Sequence, residues 1–377
     1  MCQIIYRPDY KKYNLGEGHP FDPVRIEMVV DLLTELKYWK DPLKPETVSP
    51  EKLYSIHDKE YVDTIEALSR GENESESEKY GLGTLDNPIF PGMAEGARIQ
   101  AGGTLLGATL LIENKTKKVL QLGGGFHHAH WNMAAGFCIY NDIALAIKEM
   151  TDAGWHVLYL DIDVHHGDGV QEIFYADDKV MTISIHESGE YLFPGTGWIH
   201  ELGQGMGRSL KLNLPLEPYT EGDSFMEVLE GILDPAIKWF RPDALVVQAG
   251  ADAHFSDPLA DLMLTVKDFK VIITKIIEFS NLFAKERILF TLGGGYSITS
   301  TLRIWAILYM LLFKLEIPDE LPEFWLSKWE KKLGKKLPVK FFDPNPAFDS
   351  ISRKNEIAKH NRDLIRRVLD AVTPDWL

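Results

Sequence analysis

Residues 157–170 read VLYLDIDVHHGDGV. Four apolar positions suited to a buried strand run into three aspartates and two histidines within the next eight residues. Such groups are costly to bury unless they pair, hydrogen-bond or hold a metal ion. Four further short apolar runs end in the same abrupt way: VLQL (119–122), VMTISI (180–185), ALVVQ (244–248) and ILFTL (288–292) are each followed by glycine, aspartate or histidine. Segments of helical periodicity lie between or after them, at 141–153, 223–240 and 266–284. Strand and helix alternating at this spacing predict an α/β fold, a mainly parallel central sheet with helices on both faces. Ligands in such sheets bind beyond the carboxyl ends of the strands. The polar clusters fall at those ends.

The chain has 377 residues, 45% hydrophobic and 25% charged, a composition of globular proteins. With no Pro/Gly/Ser-rich linker and no internal repeat, one domain over 1–377 is expected, with a helical and irregular extension over about 315–377 packed on it. The acidic stretch GENESESEKYG (71–81) reads as an exposed loop, and IWAILYMLLF (304–313), too short to span a bilayer, as a buried helix. A formal net charge of −16 argues against nucleic-acid binding and favours cationic partners. The basic cluster at 328–340 is expected to be a solvated face or a partner contact. Two cysteines, Cys2 and Cys138, support no disulfide framework, and the N-terminus lacks the apolar core of a signal peptide. A cytoplasmic protein without membrane contact is expected.

Asp163 and His165 are two apart, so in extended backbone both side chains point the same way, as two ligands on one ion require. Asp252, in VVQAGADAHF, can supply a third. Two carboxylates and one imidazole leave coordination positions for water and substrate, as catalytic zinc sites do. In LGGGFHHAH (122–130), His127 and His128 follow a glycine-rich turn. Five of the chain's twelve histidines lie in 127–130 and 165–166. A histidine beside a metal can take a proton from water and return it to a leaving group, with Asp161 and Asp168 available to fix tautomer and charge. In LGGGYS, Tyr296 follows Gly293–Gly295, where a phenol could donate to a developing oxyanion. Neither GGG segment has dinucleotide-fold spacing, and no serine or cysteine nucleophile stands in a motif. The parts fit metal-assisted hydrolysis of an amide by water.

GGGFHHAH, GFCIYND, LDIDVHHGDG, FPGTG, GAD and LGGGY occur in the order seen in zinc-dependent histone deacetylases and their bacterial relatives, which the chain resembles over about residues 1–310. Its opening, YRPDYKKYNLGEGHPFDPVR, looks most like the acetoin-utilisation deacetylases, the bacterial branch nearest class I. The resemblance implies an arginase-like α/β fold and hydrolysis of N-acetyl-lysine in a protein or peptide to lysine and acetate. It implies Zn2+, or Fe2+ in its place, on Asp163, His165 and Asp252. His128, backed by Asp168, would be the main general acid/base, and His127, backed by Asp161, an electrostatic helper. Tyr296 would polarise the acetyl carbonyl. Gly136, Phe137, Phe193, Leu259 and Gly294 would line the acyl-lysine tunnel, Asp86 its rim, and Arg25 an inner acetate channel. One K+ site would use Asp161, Asp163, His165, Ser184 and Ile185. A second would use Phe174, Asp177 and Val180, with Asp177 at a position that is threonine-like in the family. An acyl-CoA synthetase is the substrate protein suggested by the same resemblance, which assigns no role to His166.

Three other readings remain. A binuclear manganese amidinohydrolase would need more aspartates than DVHHGDG and GAD contain. An acetylpolyamine or small acylamine deacetylase would favour an acidic group at the tunnel wall, where Leu259 stands. A catalytically silent acyl-lysine-binding protein would have lost Tyr296 or a ligand.

Overall fold

The computed structural model describes residues 2–72 and 74–376. Seven strands form one sheet: β1 Cys2–Ile5, β2 Lys118–Gln121, β3 Val157–Asp161, β4 Val180–Glu187, β5 Lys211–Leu216, β6 Ala244–Gln248 and β7 Ile288–Thr291. Their order is β1-β2-β7-β6-β3-β4-β5, and every neighbouring pair is parallel. The five apolar runs are the five inner strands.

β1 and β5 were not among the expected strands, and both are edges. β5 carries Lys211, Asn213 and Pro215 at alternate positions, which interrupts the apolar run that marks an inner strand. An edge strand tolerates proline because only one side pairs. Its other face, Leu212, Leu214 and Leu216, joins the core.

Side chains alternate between two apolar layers, as the strand period requires. Leu158 and Leu160 of β3 join Leu245 and Val247 of β6 in one layer; Val157 and Tyr159 join Ala244 and Val246 in the other. The first layer is closed by helices that include Val24–Glu35, Gly222–Phe240, Val266–Phe283 and Ile298–Phe313, the second by Lys59–Ser69, Met93–Ile112 and Asp142–Asp152. The apolar run 304–313 is the buried body of Ile298–Phe313. Among the described residues, no helix is long and apolar enough to cross a membrane.

One surface expectation is revised. Glu74–Tyr80 winds into a 3-10 helix rather than an open loop, with Tyr80 buried and its hydroxyl 2.8 Å from Glu60 Oε1. The lysines of the basic cluster are exposed, as a solvated face requires, and two of them pair across the surface: Lys328 meets Asp31 at 2.7 Å and Lys332 meets Glu27 at 3.4 Å, both partners on Val24–Glu35. Half-exposed pairs add little stability. The buried Trp325, whose Nε1 donates to the Met28 carbonyl at 3.2 Å, docks this segment instead.

Asp343 ties the C-terminal region to the rest of the molecule by three polar links. It accepts from Arg303 Nη2 at 2.9 Å, from the Val266 N–H at 2.8 Å and from His254 Nε2 at 3.1 Å. Burial pushes its carboxyl up, but the bond from His254 and the charge of Arg303 prevail and hold it at about 2. Asp343→Ala strands a buried guanidinium and is expected to lower the free energy of unfolding by about 3–5 kcal/mol in urea melts. Because the folded carboxyl titrates below its ordinary 3.8, this contribution is full above about pH 4 and is lost as pH falls toward about 2. An unchanged midpoint in the variant would contradict this.

Candidate active site

The site is built where β2, β7, β6 and β3 end side by side. Asp161 closes β3, and its Oδ1 accepts from the Asp163 N–H at 3.0 Å, turning the chain so that Asp163 and His165 face the end of β6. Asp252 arrives from β6, its Oδ1 held by the Val164 N–H at 2.9 Å. The buried donor atoms of Asp163, His165 and Asp252 all lie within 4.8 Å of one another. His165 Nδ1 stands 3.1 Å from Asp163 Oδ1 and 3.3 Å from Asp252 Oδ2. Asp252 Oδ2 is buried and makes no hydrogen bond. A Cβ on Gly294 would stand 1.9 Å from that oxygen and 2.4 Å from Asp163 Oδ2, so glycine keeps the space between the carboxylates clear.

The electrostatics agree with this geometry. Burial, then the charge of Asp163, pushes the Asp252 carboxyl up to about 7. Burial opposes charge on His165, yet the two carboxylates raise it to about 10. Both shifts mark an excess of negative charge that a bound cation relieves. Two carboxylate oxygens and an imidazole nitrogen suit zinc or ferrous iron and leave positions open.

The histidine pair sits on the turn after β2. Gly124 and Gly125 have φ of 68° and 87°, and Asp142, at the start of Asp142–Asp152, accepts from the N–H groups of Gly125 and Phe126 at 3.1 and 2.8 Å. His127 Nδ1 meets Asp161 Oδ2 at 2.7 Å and its Nε2 lies 3.8 Å from Asp163 Oδ1. His128 Nδ1 meets Asp168 Oδ1 at 2.6 Å. The two rings are 3.9 Å apart between centroids. Burial opposes the cation on His127, but Asp161 and Asp163 raise it to about 9. Burial and the neighbouring His127 hold His128 near 4. One ring is thus poised as a cation and the other as a free base.

Tyr296 follows the second glycine turn, where Gly293 and Gly295 have φ of 105° and 129°. Burial, then Asp252, keeps its phenol protonated. Asp257 fixes this turn by accepting from the N–H groups of Tyr296 and Ser297 at 2.7 and 3.2 Å, and also from that of Leu259 at 3.1 Å. Arg25, 2% exposed, donates to the carbonyls of Gly293 and Gly295 at 3.1 and 2.7 Å and lies over the Phe21 ring at 4.4 Å. Phe137 packs edge-on against Tyr296 at 5.6 Å and Phe193 against His128 at 5.0 Å, making two aromatic walls. A Cβ on Gly136 would come within 2.4 Å of the His128 ring. Phe137 itself has φ of 70°, held by Tyr13 donating to its carbonyl at 2.6 Å. Asp86 is exposed, and its carbonyl lies 3.3 Å from His19 Nε2.

The two expected potassium positions differ. Asp161 pairs with Ser184 across β3 and β4, with Ile185 next along the strand, so that residue set is brought together. At the second position, the carbonyls of Val180 and Asp177 accept from Lys211 Nζ at 2.6 and 3.3 Å, and Lys211 is fully buried. That amine is the partner these two carbonyls have in this structure, at the position where the family resemblance implies a potassium ion on Phe174, Asp177 and Val180. Lys211 escaped the sequence reading because it lies on the unrecognised edge strand. Asp257, His130 and Glu172 were also missed, since nothing in local spacing marks their partners. His166 turns away to Thr196 Oγ1 at 2.9 Å and packs on the His186 ring.

The model of the Histone deacetylase domain matches residues 19–312. The acetoin utilization protein AcuC of Bacillus subtilis (strain 168) is 37% identical over 374 residues, covering 98% of this chain and 97% of that protein. The protein of the same name from Staphylococcus aureus (strain MSSA476) is 34% identical over 366 residues, covering 96% and 94%. Among solved structures, an HDAC homolog complexed with SAHA superposes with a TM-score of 0.87 at 26% identity, covering 97% of this chain and 99% of that one. An HDAC homolog from Aquifex aeolicus gives 0.84 at 26%, covering 96% and 99%. The parallel sheet between helical layers is therefore the arginase/deacetylase fold. The chain belongs to the histone deacetylase family, in the bacterial branch of the acetoin-utilisation proteins.

Proposed function

We propose that this deacetylase hydrolyses N-acetyl-lysine in a protein or peptide to lysine and acetate. The observation that carries the reading is one buried cluster in which Asp163, His165 and Asp252 converge beside His127 and His128, each backed by an aspartate, and Tyr296. Asp163, His165 and Asp252 would hold a divalent cation, zinc or ferrous iron, which when bound supplies Lewis acidity toward water and the acetyl carbonyl.

His128 takes a proton from the attacking water and passes it to the lysine nitrogen as the amide C–N bond breaks. Asp168 fixes its tautomer by accepting from Nδ1. His127 contributes positive charge near the developing oxyanion, and the Tyr296 O–H donates to it. Gly136, Phe137, Phe193 and Leu259 line the path of the four-carbon lysine stem, with Gly294 beneath it and Asp86 at its rim. The buried Arg25 guanidinium, with carbonyl and aromatic neighbours, suits an acetate ion leaving inward. A potassium ion would lie on Asp161, Asp163, His165, Ser184 and Ile185. The substrate in the cell is an acetylated lysine of a bacterial protein, with an acyl-CoA synthetase the first to try.

With zinc-loaded protein and an acetyl-lysine peptide, His128→Ala is expected to lower kcat by about 10²–10⁴ and Tyr296→Phe by about 10²–10³, both retaining zinc. Near-normal turnover in either variant would remove the assigned role. Asp252→Ala and Gly294→Ala act on the cluster itself, one deleting a ligand and the other filling its space. Elemental analysis of both folded variants is expected to find zinc lost, and stoichiometric zinc in Asp252→Ala would exclude it as a ligand.

A further inference from the structure

Asp168 does not serve His128 alone. Its Oδ1 accepts from His128 Nδ1 at 2.6 Å and from the Gly169 N–H at 2.9 Å. Its Oδ2 lies 3.3 Å from Nε2 of His130. On the far side of that ring, Nδ1 of His130 meets a carboxylate oxygen of Glu172, whose other oxygen accepts from the Trp131 N–H at 3.4 Å. The His130 side chain is 16% exposed, whereas Glu172 reaches solvent at 49%. A chain of four groups, His128–Asp168–His130–Glu172, runs from the reacting centre to the surface.

A neutral imidazole has one N–H and can satisfy only one of the two carboxylates that clasp His130; an imidazolium satisfies both. Burial opposes that charge, but Asp168 and Glu172 outweigh it and raise His130 to about 10. The other titratable neighbour is His57, which contacts the His130 carbonyl at 2.9 Å and is held neutral by burial, near 4. Around His128 stand His127, Asp168 and the His165 ring, the last 5.9 Å away between centroids.

We propose that His130 is a positioning residue, a fixed cation on the far oxygen of Asp168 that shares this carboxylate's charge and orientation. Asp168 thereby holds the His128 ring through one oxygen while its other oxygen is engaged by His130. A carboxylate already balanced by a second cation stabilises a neighbouring imidazolium less, so the arrangement keeps His128 a base down to lower pH. The proposal rests on the functional reading above, in which His128 moves the proton.

The test uses zinc-loaded His130→Leu, His130→Gln and His130→Arg, with kcat and KM followed across pH on an acetyl-lysine peptide. The His128 ring is titrated in parallel by 15N NMR, which needs no turnover. In His130→Leu the acid limb of kcat is expected to move up by about one pH unit, with KM unchanged and the NMR titration moving the same way. Arginine restores the limb because it restores the charge; glutamine, which restores only a hydrogen bond, does not. Glu172→Gln, a change at the surface, is expected to shift the limb in the same direction by less, and serves if the leucine variant does not fold. A limb unmoved in both, or restored as fully by glutamine as by arginine, overturns the proposal. Wild-type protein inert on acetyl-lysine but with the NMR shift intact would overturn the functional reading and leave this one standing.

Discussion

Three buried aspartates at the carboxyl end of one strand pair are the constraint on which the rest depends. Asp161 and Asp163 leave β3 two residues apart, and Asp252 reaches them from β6, all within the interior of the molecule. Such charges persist inside a protein only with compensation. Asp161 finds His127, Tyr159 and the Asp163 N–H. Asp252 Oδ2 is buried without a well-formed hydrogen bond and faces the His165 imidazole at 3.3 Å. The demand for a cation is thus written into the backbone course of two neighbouring strands.

The surrounding elements follow from serving that pocket. Both triple-glycine turns let backbone approach where a side chain would collide: at Gly294 with two carboxylates, and at Gly125 with the second turn itself, where a Cβ would stand 2.6 Å from Gly293 Cα. Arg25 and Asp257 then lock the second turn from opposite sides, by its carbonyls and its N–H groups respectively. The same device appears at the C-terminal region. Asp343 grips His254, two residues beyond Asp252, so a segment far along the chain steadies the strand end that carries a candidate ligand.

Much of this was legible in the sequence because the five short apolar runs alternate with helical segments and give way to glycine, aspartate or histidine, as strands of a parallel sheet with a site at their carboxyl ends do. The inner strands, the principal helices and the convergence of 127–128, 163–165, 252 and 296 follow from that pattern. The edge strands did not announce themselves, since β1 is short and β5 alternates polar with apolar residues. What stayed hidden were pairings between residues remote in sequence. Lys211 on the carbonyls of Asp177 and Val180, Asp257 under Tyr296, and His130 between Asp168 and Glu172 each depend on a spatial neighbour that no local spacing reveals. The lysine is the instructive case. Family resemblance implies a potassium ion beside carbonyls that here accept from a buried lysine amine.

The central claim is that the Asp163–His165–Asp252 cluster makes the chain a metal-dependent deacetylase of acetylated lysine. It is tested most directly by acetate release from an acetyl-lysine peptide, with acetylated polyamines alongside, before chelation, after it, and after zinc is restored. Turnover on the peptide is expected to vanish with the chelator and return with zinc. Turnover indifferent to chelation, or none on any acetylated amine by protein with stoichiometric zinc, would contradict it.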